Sequence, residues 1–255
     1  MMTKVKNRWF MVIGAMAIHM CIGSVYAWSV YVKPIQSTMG WTLTDVTITF
    51  SIAIFFLGLS AALMGKFVEA KGPRTAATLA AVLFGLGTIG SGMAIHLESK
   101  ILLYLTYGVL GGAGLGIGYL SPVSMLVKWF PDRRGMATGL AIMGFGFASA
   151  ISGPAIKILI DSVGISSTFY ILGSIYFVIM FTAAQYLANP PEGYMPERLS
   201  HAISSGKKKI KEDLVNITRN EAIKTGRFYG LWIMLFINVT CGIAIISVAS
   251  PLLQE

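Results

Sequence analysis

Polar and aromatic side chains that could bind a ligand lie in the first apolar stretch of the chain. His19, Gly23 and Tyr26 recur at positions i, i+4 and i+7, which places them on one face of a helix. A phenol in apolar surroundings needs a hydrogen-bond partner or water, so Tyr26 is predicted to face a cavity. His19 is predicted to bind a proton or an anion there, or to bond a neighbouring helix as a neutral ring. Trp28 either lines the cavity or belongs to an aromatic belt at a membrane surface.

Patterns typical of enzymes and metal sites are weak or missing. Gly85–Gly90 has the spacing of a dinucleotide-binding loop, but it lies within an apolar stretch and no strand precedes it. Cys21 and Cys241 both lie in apolar runs, so neither a disulfide framework nor a zinc site is predicted. The sequence holds no HExxH, GxSxG or P-loop motif. We therefore predict that the chain is not an enzyme and needs no cofactor or metal ion.

The segments that carry these side chains are long and apolar. Of the 255 residues, 55% are hydrophobic and only 12% are charged, with a mean hydropathy of +0.71. Soluble domains carry about 25% charged residues, so most of this surface is predicted to face lipid. A spanning helix needs roughly 20 apolar residues. Seven charge-free windows meet that requirement: Trp9–Tyr31, Val46–Gly65, Thr75–Leu97, Ile101–Val127, Gly135–Ile156, Gly164–Leu187 and Phe228–Leu253.

Basic residues between the spans predict the orientation. The chain has a formal net charge of +9, and 17 of its 20 Lys and Arg residues fall on one side of the predicted membrane. The side richer in Lys and Arg is normally cytoplasmic. We therefore predict an integral protein of the plasma (cell inner) membrane, with a cytoplasmic N-terminus and the end of the seventh helix outside. The positive charge then reflects topology and attraction to anionic lipid rather than nucleic-acid binding.

The spans predict three regions along the chain. Residues 1–188 form a six-helix half, residues 189–227 form a cytoplasmic basic linker, and residues 228–255 form a seventh spanning helix. Within the linker, Ile210, Leu214 and Ile217 make one apolar stripe at helical spacing. This segment is either an amphipathic helix on the inner leaflet or a disordered tether.

Several motifs resemble those of one transporter superfamily. The loop Gly65–Arg74 resembles the signature loop of the major facilitator superfamily, although Glu69 stands where the family usually has aspartate. Gly114–Ser124 followed by Lys128–Gly139 resembles the fourth span, inner loop and fifth span of the oxalate/formate antiporter family within it. Gly23–Tyr31 is similar to that family's first helix.

The resemblance implies an all-α, polytopic membrane bundle: the six-helix N-terminal half of a twelve-helix carrier, plus helix seven. It implies that a small carboxylate binds between the halves and crosses by alternating access. Family members place aromatic residues around the substrate at the positions of Tyr119 and Phe145, and some relatives have tyrosine at the latter. The predicted cavity residues are His19, Tyr26, Trp28, Tyr119 and Phe145. The predicted inner signature loop and charge latch comprise Gly65, Glu69, Gly72, Arg74, Asp132, Arg133 and Arg134.

No Lys, Arg, Asp or Glu lies deep within any predicted span. A carboxylate in the membrane needs cationic partners, which the resembling family supplies from its C-terminal half. We therefore expect a truncated, incomplete carrier that requires a missing C-terminal half or a full-length relative. The alternatives are a homodimeric carrier and a non-transporting membrane remnant or scaffold that pairs with such a relative.

Overall fold

The computed structural model describes residues 7–191, 193–196, 200 and 219–253, and these residues form helices and no strands. The helices are α1 (Arg8–Gly23), α2 (Ser29–Met39), α3 (Leu43–His96), α4 (Lys100–Leu103), α5 (Gly112–Trp129), α6 (Arg134–Val163), α7 (Ile165–Tyr186), α8 (Arg219–Ala222) and α9 (Gly226–Leu253). A 3₁₀ segment, Ser24–Ala27, joins α1 to α2, and a π-helical segment, Tyr104–Gly111, joins α4 to α5. The prediction of an all-helical bundle is confirmed.

Six helical segments in the described part of the chain are long and apolar enough to cross a membrane. Helix α3 accounts for two of the predicted spans, because its 54 residues would measure about 80 Å as one straight helix. Gly72 interrupts it with φ 79° and ψ 169°, a conformation that side chains disfavour. Pro73 follows at once and suits the first turn of a new helix. The break at Gly72 therefore separates two arms, residues 43–71 and 73–96, and the rest of the predicted signature loop is helical.

Glycines allow the helices around α5 to pack backbone to backbone. A methyl group at Gly112 would lie 2.6 Å from the carbonyl oxygen of Ala53 on the first arm of α3. A methyl group at Gly114 would lie 2.6 Å from the backbone nitrogen of Phe84 on the second arm. Small residues permit such approaches where lipid provides no hydrophobic driving force. Helix α5 is thus held between the two arms of α3, while α1 packs against α5, α6 and α7.

The second and third predicted regions are described only in part. The apolar stripe predicted around Ile210–Ile217 lies outside the described residues. Helix α9 runs beside α2, and most of its described side chains are exposed, including Leu231, Leu235 and Ile245. The boundaries at residues 188 and 228 stay predictions.

Candidate substrate-binding site

Four of the predicted cavity residues meet where α1, α5 and α6 converge. The ring of Phe145 on α6 lies 4.9 Å from Tyr26, 5.5 Å from Tyr119 and 6.1 Å from His19 between ring centroids. The ring of His19 stacks on Tyr119 at 5.6 Å with an interplanar angle of 20°. Edge-to-face and offset stacked arrangements at these distances are favourable for aromatic pairs. We call these four residues the aromatic cluster.

The two tyrosines are the accessible members of the aromatic cluster. Tyr26 and Tyr119 are half-buried, whereas His19 is fully buried and Phe145 is 6% exposed. Within the described part of the chain, neither tyrosine hydroxyl forms a hydrogen bond. Two half-buried O–H donors therefore have no acceptor among the described residues and can donate to a ligand.

His19 ties three helices together. Its Nδ1 lies 2.7 Å from the carbonyl oxygen of Ala141 on α6, and its Nε2 lies 3.2 Å from the carbonyl oxygen of Tyr119 on α5. Sequence reasoning placed His19 on the cavity face but had no signal for these backbone partners, since they depend on how three separate helices meet. His19 is fully buried and contacts the rings of Tyr119 and Phe145.

Gly23 belongs to the same helix face as His19 and Tyr26, but its role is packing. A methyl group there would meet the carbonyl oxygen of Phe145 and lie 2.7 Å from the Cβ of Ala148. The absence of a side chain brings α1 against α6 and thereby sets the spacing between Tyr26 and Phe145.

Trp28 lies outside the aromatic cluster. It is 1% exposed, its ring centroid lies 4.4 Å from Tyr107, and it also packs near Tyr31 and Phe169. Its Nε1 has no hydrogen-bond partner within the described residues. The structure thus places Trp28 in a second aromatic group inside the bundle, and its assignment to the substrate cavity stays a prediction.

The predicted latch residues lie on the predicted inner side, around the Gly72 break in α3 and between α5 and α6. Arg74 donates a hydrogen bond to the carbonyl oxygen of Gln185, and Glu69 is exposed and forms no ion pair with the described residues. Between α5 and α6, Asp132 pairs at 2.9 Å with Arg8, which precedes the first span, and its other carboxylate oxygen lies 4.0 Å from Arg133. The pair between Asp132 and Arg8 has no sequence signal, because 124 residues separate its members.

The remaining predicted latch residues, Gly65, Gly72 and Arg134, lie at separate positions in α3 and α6. Gly65 lies near the end of the first arm of α3, where an added methyl group would have Leu120 as its nearest contact, at 4.0 Å. Gly72 makes the break between the arms. Arg134 begins α6. Their action as a conformational latch stays a proposal.

A separate cavity of about 770 Å³ opens at the predicted outer ends of α2, α3, α6 and α7. Its charged lining is mixed: Lys33 and Lys157 lie with Glu98 and Asp161. Lys157 and Asp161 pair with each other at 3.1 Å. The two lysines and two carboxylates leave no excess of positive charge to bind an anion. None of the residues of the aromatic cluster lines this cavity.

The described residues hold no group of three His, Cys, Asp or Glu side chains able to bind a metal ion. They do hold long apolar helices, close glycine contacts and an aromatic cluster where three helices meet, a combination that fits an integral membrane protein of the transporter class.

Comparison with known proteins establishes the family. The model of the Major Facilitator Superfamily matches residues 8–255, and the chain belongs to this superfamily. It is 26% identical over 250 residues to the uncharacterized MFS-type transporter YhjX of Escherichia coli (strain K12), covering 98% of this chain and 59% of that protein. The resemblance stated from the motifs is confirmed.

Two further relatives are named for carboxylates. The chain is 26% identical over 246 residues to the oxalate:formate antiporter of Oxalobacter formigenes, covering 96% of this chain and 55% of that protein. It is 27% identical over 172 residues to monocarboxylate transporter 14 of Mus musculus, covering 66% of this chain and 32% of that protein. The chain thus spans little more than half the length of the first two relatives.

Proposed function

We propose that this chain provides one wall of a binding site for a small organic anion, an oxalate- or formate-like carboxylate, in a carrier that works by alternating access. The observation that carries the proposal is that the half-buried Tyr26 and Tyr119, whose hydroxyls have no partner among the described residues, both lie beside the ring of Phe145. The names of the oxalate:formate antiporter and the monocarboxylate transporter support a carboxylate as the substrate class.

The chemistry of the aromatic cluster suits a planar anion. A carboxylate oxygen accepts hydrogen bonds from phenol O–H groups, and such charge-assisted bonds are short and strong. The positive edges of aromatic rings also favour an anion in their plane, since the ring quadrupole is negative on the faces. Tyr26 and Tyr119 would donate to the carboxylate, and Phe145 would set its orientation.

Neutralisation of the anion needs a source of positive charge besides the aromatic cluster. No Lys or Arg of the described residues contacts its rings, and an unpaired anion is costly away from water. We propose that the charge comes from a proton or from cationic residues of a C-terminal half or a full-length relative. In the same proposal, the chain lies in the plasma membrane with its N-terminus cytoplasmic and the end of α9 outside.

The inner loops would couple binding to movement. We assign the latch to Gly65, Glu69, Gly72, Arg74, Asp132, Arg133 and Arg134. In the described conformation Asp132 is engaged by Arg8, whereas Glu69 is exposed. Glu69 is therefore available to pair with a cation in another conformation.

Direct binding of radiolabelled oxalate and formate to the full 255-residue chain in lipid nanodiscs tests the proposal. Tyr119→Phe removes one donor to a charged acceptor, worth about 1.5–3 kcal/mol, so affinity should fall about tenfold or more. Phe145→Tyr should change the preference between oxalate and formate, because it adds a hydroxyl within the cluster. Phe147→Tyr is the matched control, since Phe147 is 64% exposed on the same helix. Binding of either anion with unchanged affinity in Tyr119→Phe would refute the proposal.

One observation favours a second candidate, a non-transporting membrane protein that pairs with a full-length relative. Apolar side chains of α9 such as Leu231 and Leu235 are 68% and 64% exposed, so this helix could pack against another protein. Co-purification of the tagged chain with such a relative would favour this function. Carboxylate exchange by liposomes that contain the chain alone would contradict it, and would also contradict the prediction of an incomplete carrier.

A further inference from the structure

The imidazole of His19 faces two hydrogen-bond acceptors, although its neutral form carries only one N–H. The shorter contact, 2.7 Å from Nδ1 to the carbonyl oxygen of Ala141, is where the single proton of the neutral ring belongs. The second contact, 3.2 Å from Nε2 to the carbonyl oxygen of Tyr119, then sets a nitrogen lone pair against an oxygen. Both contacts are hydrogen bonds only when Nδ1 and Nε2 each carry a proton.

The surroundings of His19 contain no competing charge. None of the described Asp, Glu, Lys or Arg side chains lies within ion-pair distance of the ring. The titratable and charged groups on its own helix and the elements packed against it are Arg8, Cys21, Tyr26, Tyr119, Lys128, Arg134, Lys157, Asp161, Tyr170, Tyr176 and Tyr186. Of these, Tyr119 contacts the ring, stacked at 5.6 Å. A protonated ring would therefore be held by two carbonyl dipoles and an aromatic face.

We infer that His19 is a proton-binding site coupled to the carboxylate site, and that an anion bound beside Tyr26 and Tyr119 draws a proton from solvent onto Nε2. This inference rests on the proposed function. Protonation gives each carbonyl oxygen its own N–H donor, and both bonds become charge-assisted. It also strengthens the stacking on Tyr119, since an aromatic face attracts a cation.

The position of His19 explains why the anion and the proton depend on each other. A buried cation is costly alone, and so is a carboxylate among aromatic rings, but each lowers the cost of the other. Tyr119 and Phe145 contact His19 and also line the proposed site, so the two charges would be separated by one layer of side chains. The coupling is reciprocal: a proton on His19 raises the affinity for the anion by the same factor as the bound anion raises the affinity of His19 for the proton.

Nitrogen NMR of ¹⁵N-histidine-labelled full-length chain in nanodiscs tests the inference directly. The sequence has three histidines, His19, His96 and His201, so the His19 signals are assigned by their loss in His19→Gln. At fixed pH and without anion we expect the Nδ1–H tautomer, and formate should convert the ring to the doubly protonated form. A His19 ring that bears its proton on Nε2, or whose protonation does not change at saturating formate, would overturn the inference.

The pH dependence of formate binding is the second measurement. The affinity should rise as pH falls from 8 to 6, by up to tenfold per pH unit, the limit for one coupled proton. His19→Gln keeps an N–H donor but does not titrate, so its affinity should vary less than twofold over this range. His96→Gln, which alters an exposed histidine, should retain the slope of the unaltered chain.

The outcomes separate this inference from the proposed function. Formate binding with a flat pH profile in the unaltered chain would overturn the proton coupling and leave the carboxylate site standing. Formate binding that Tyr119→Phe leaves unchanged would instead refute the proposed function. The NMR measurement uses the unaltered fold, so it decides the question even if His19→Gln does not fold.

Discussion

A methyl group added at Gly23 should separate α1 from α6 and loosen the aromatic cluster. In the structure the new Cβ would meet the carbonyl oxygen of Phe145 and lie 2.7 Å from the Cβ of Ala148. The obstacle is backbone rather than the end of a flexible side chain, so the helices must move apart. Tyr26 and Phe145, whose ring centroids lie 4.9 Å apart across this contact, would lose part of their packing.

Overpacking of this kind costs about 1–3 kcal/mol. For a chain of this size each kcal/mol lowers the unfolding temperature by about 2–4 °C. We therefore expect Gly23→Ala to lower the apparent unfolding temperature in nanodiscs by several degrees and to weaken carboxylate binding. Both effects share one cause, because the same contact holds the helices and spaces the rings.

Gly146→Ala is the matched control for Gly23→Ala. Gly146 lies on α6 next to Phe145, yet a methyl group there would have no neighbour within 4 Å. Both substitutions remove a helical glycine, so the difference between them isolates the steric effect. Equal unfolding temperatures for the two variants would refute the close contact between α1 and α6.

Two further predictions concern the inner loops and use the same thermal assay. Gly72→Ala should destabilise the chain by about 1–3 kcal/mol, because the backbone there is in a glycine-specific conformation. Gly65→Ala is the control, because Gly65 belongs to the same motif and has space for a methyl group, so this substitution should be neutral or stabilising. Equal losses of stability in the two variants would contradict the need for glycine at position 72. Asp132→Asn should cost about 1–3 kcal/mol, since it leaves the partly buried Arg8 without its charge partner. The matched control is Asp161→Asn, because the side chain of Asp161 is 62% exposed in its pair with Lys157. This substitution should lower the free energy of unfolding by less than about 1 kcal/mol. A loss as large as that of Asp132→Asn would contradict a stabilising role for the pair between Asp132 and Arg8.

Sequence reasoning predicted the helical architecture well because it depends on local properties. Apolar windows of about 20 residues must become helices in lipid, where each backbone group needs an internal partner. A loop between the second and third spans was predicted over Gly65–Arg74, and the structure narrows the break to Gly72 followed by Pro73, both of which have strong backbone preferences. Such signals lie within a few residues of the feature that they predict.

The site was predictable only in part. Helical phase placed His19 and Tyr26 on one face, and the family resemblance added Tyr119 and Phe145, all of which the structure brings together. The same reasoning also included Trp28 among the cavity residues, whereas the structure places it in a second aromatic group. The rotation of the 3₁₀ segment Ser24–Ala27 and the packing of α7 decide that Trp28 lies against Tyr107 and Phe169.

The sequence by itself determined that this protein is a helical membrane bundle, since hydropathy and loop charge are properties of short stretches, and the resemblance of its motifs to the major facilitator superfamily added the transporter class. Only the tertiary structure decided that Gly23 packs against α6, that Arg8 meets Asp132, and that His19 faces carbonyl oxygens on two other helices. Each of these contacts joins residues at least 100 positions apart. Their geometry depends on how the helices pack together, which no local pattern encodes.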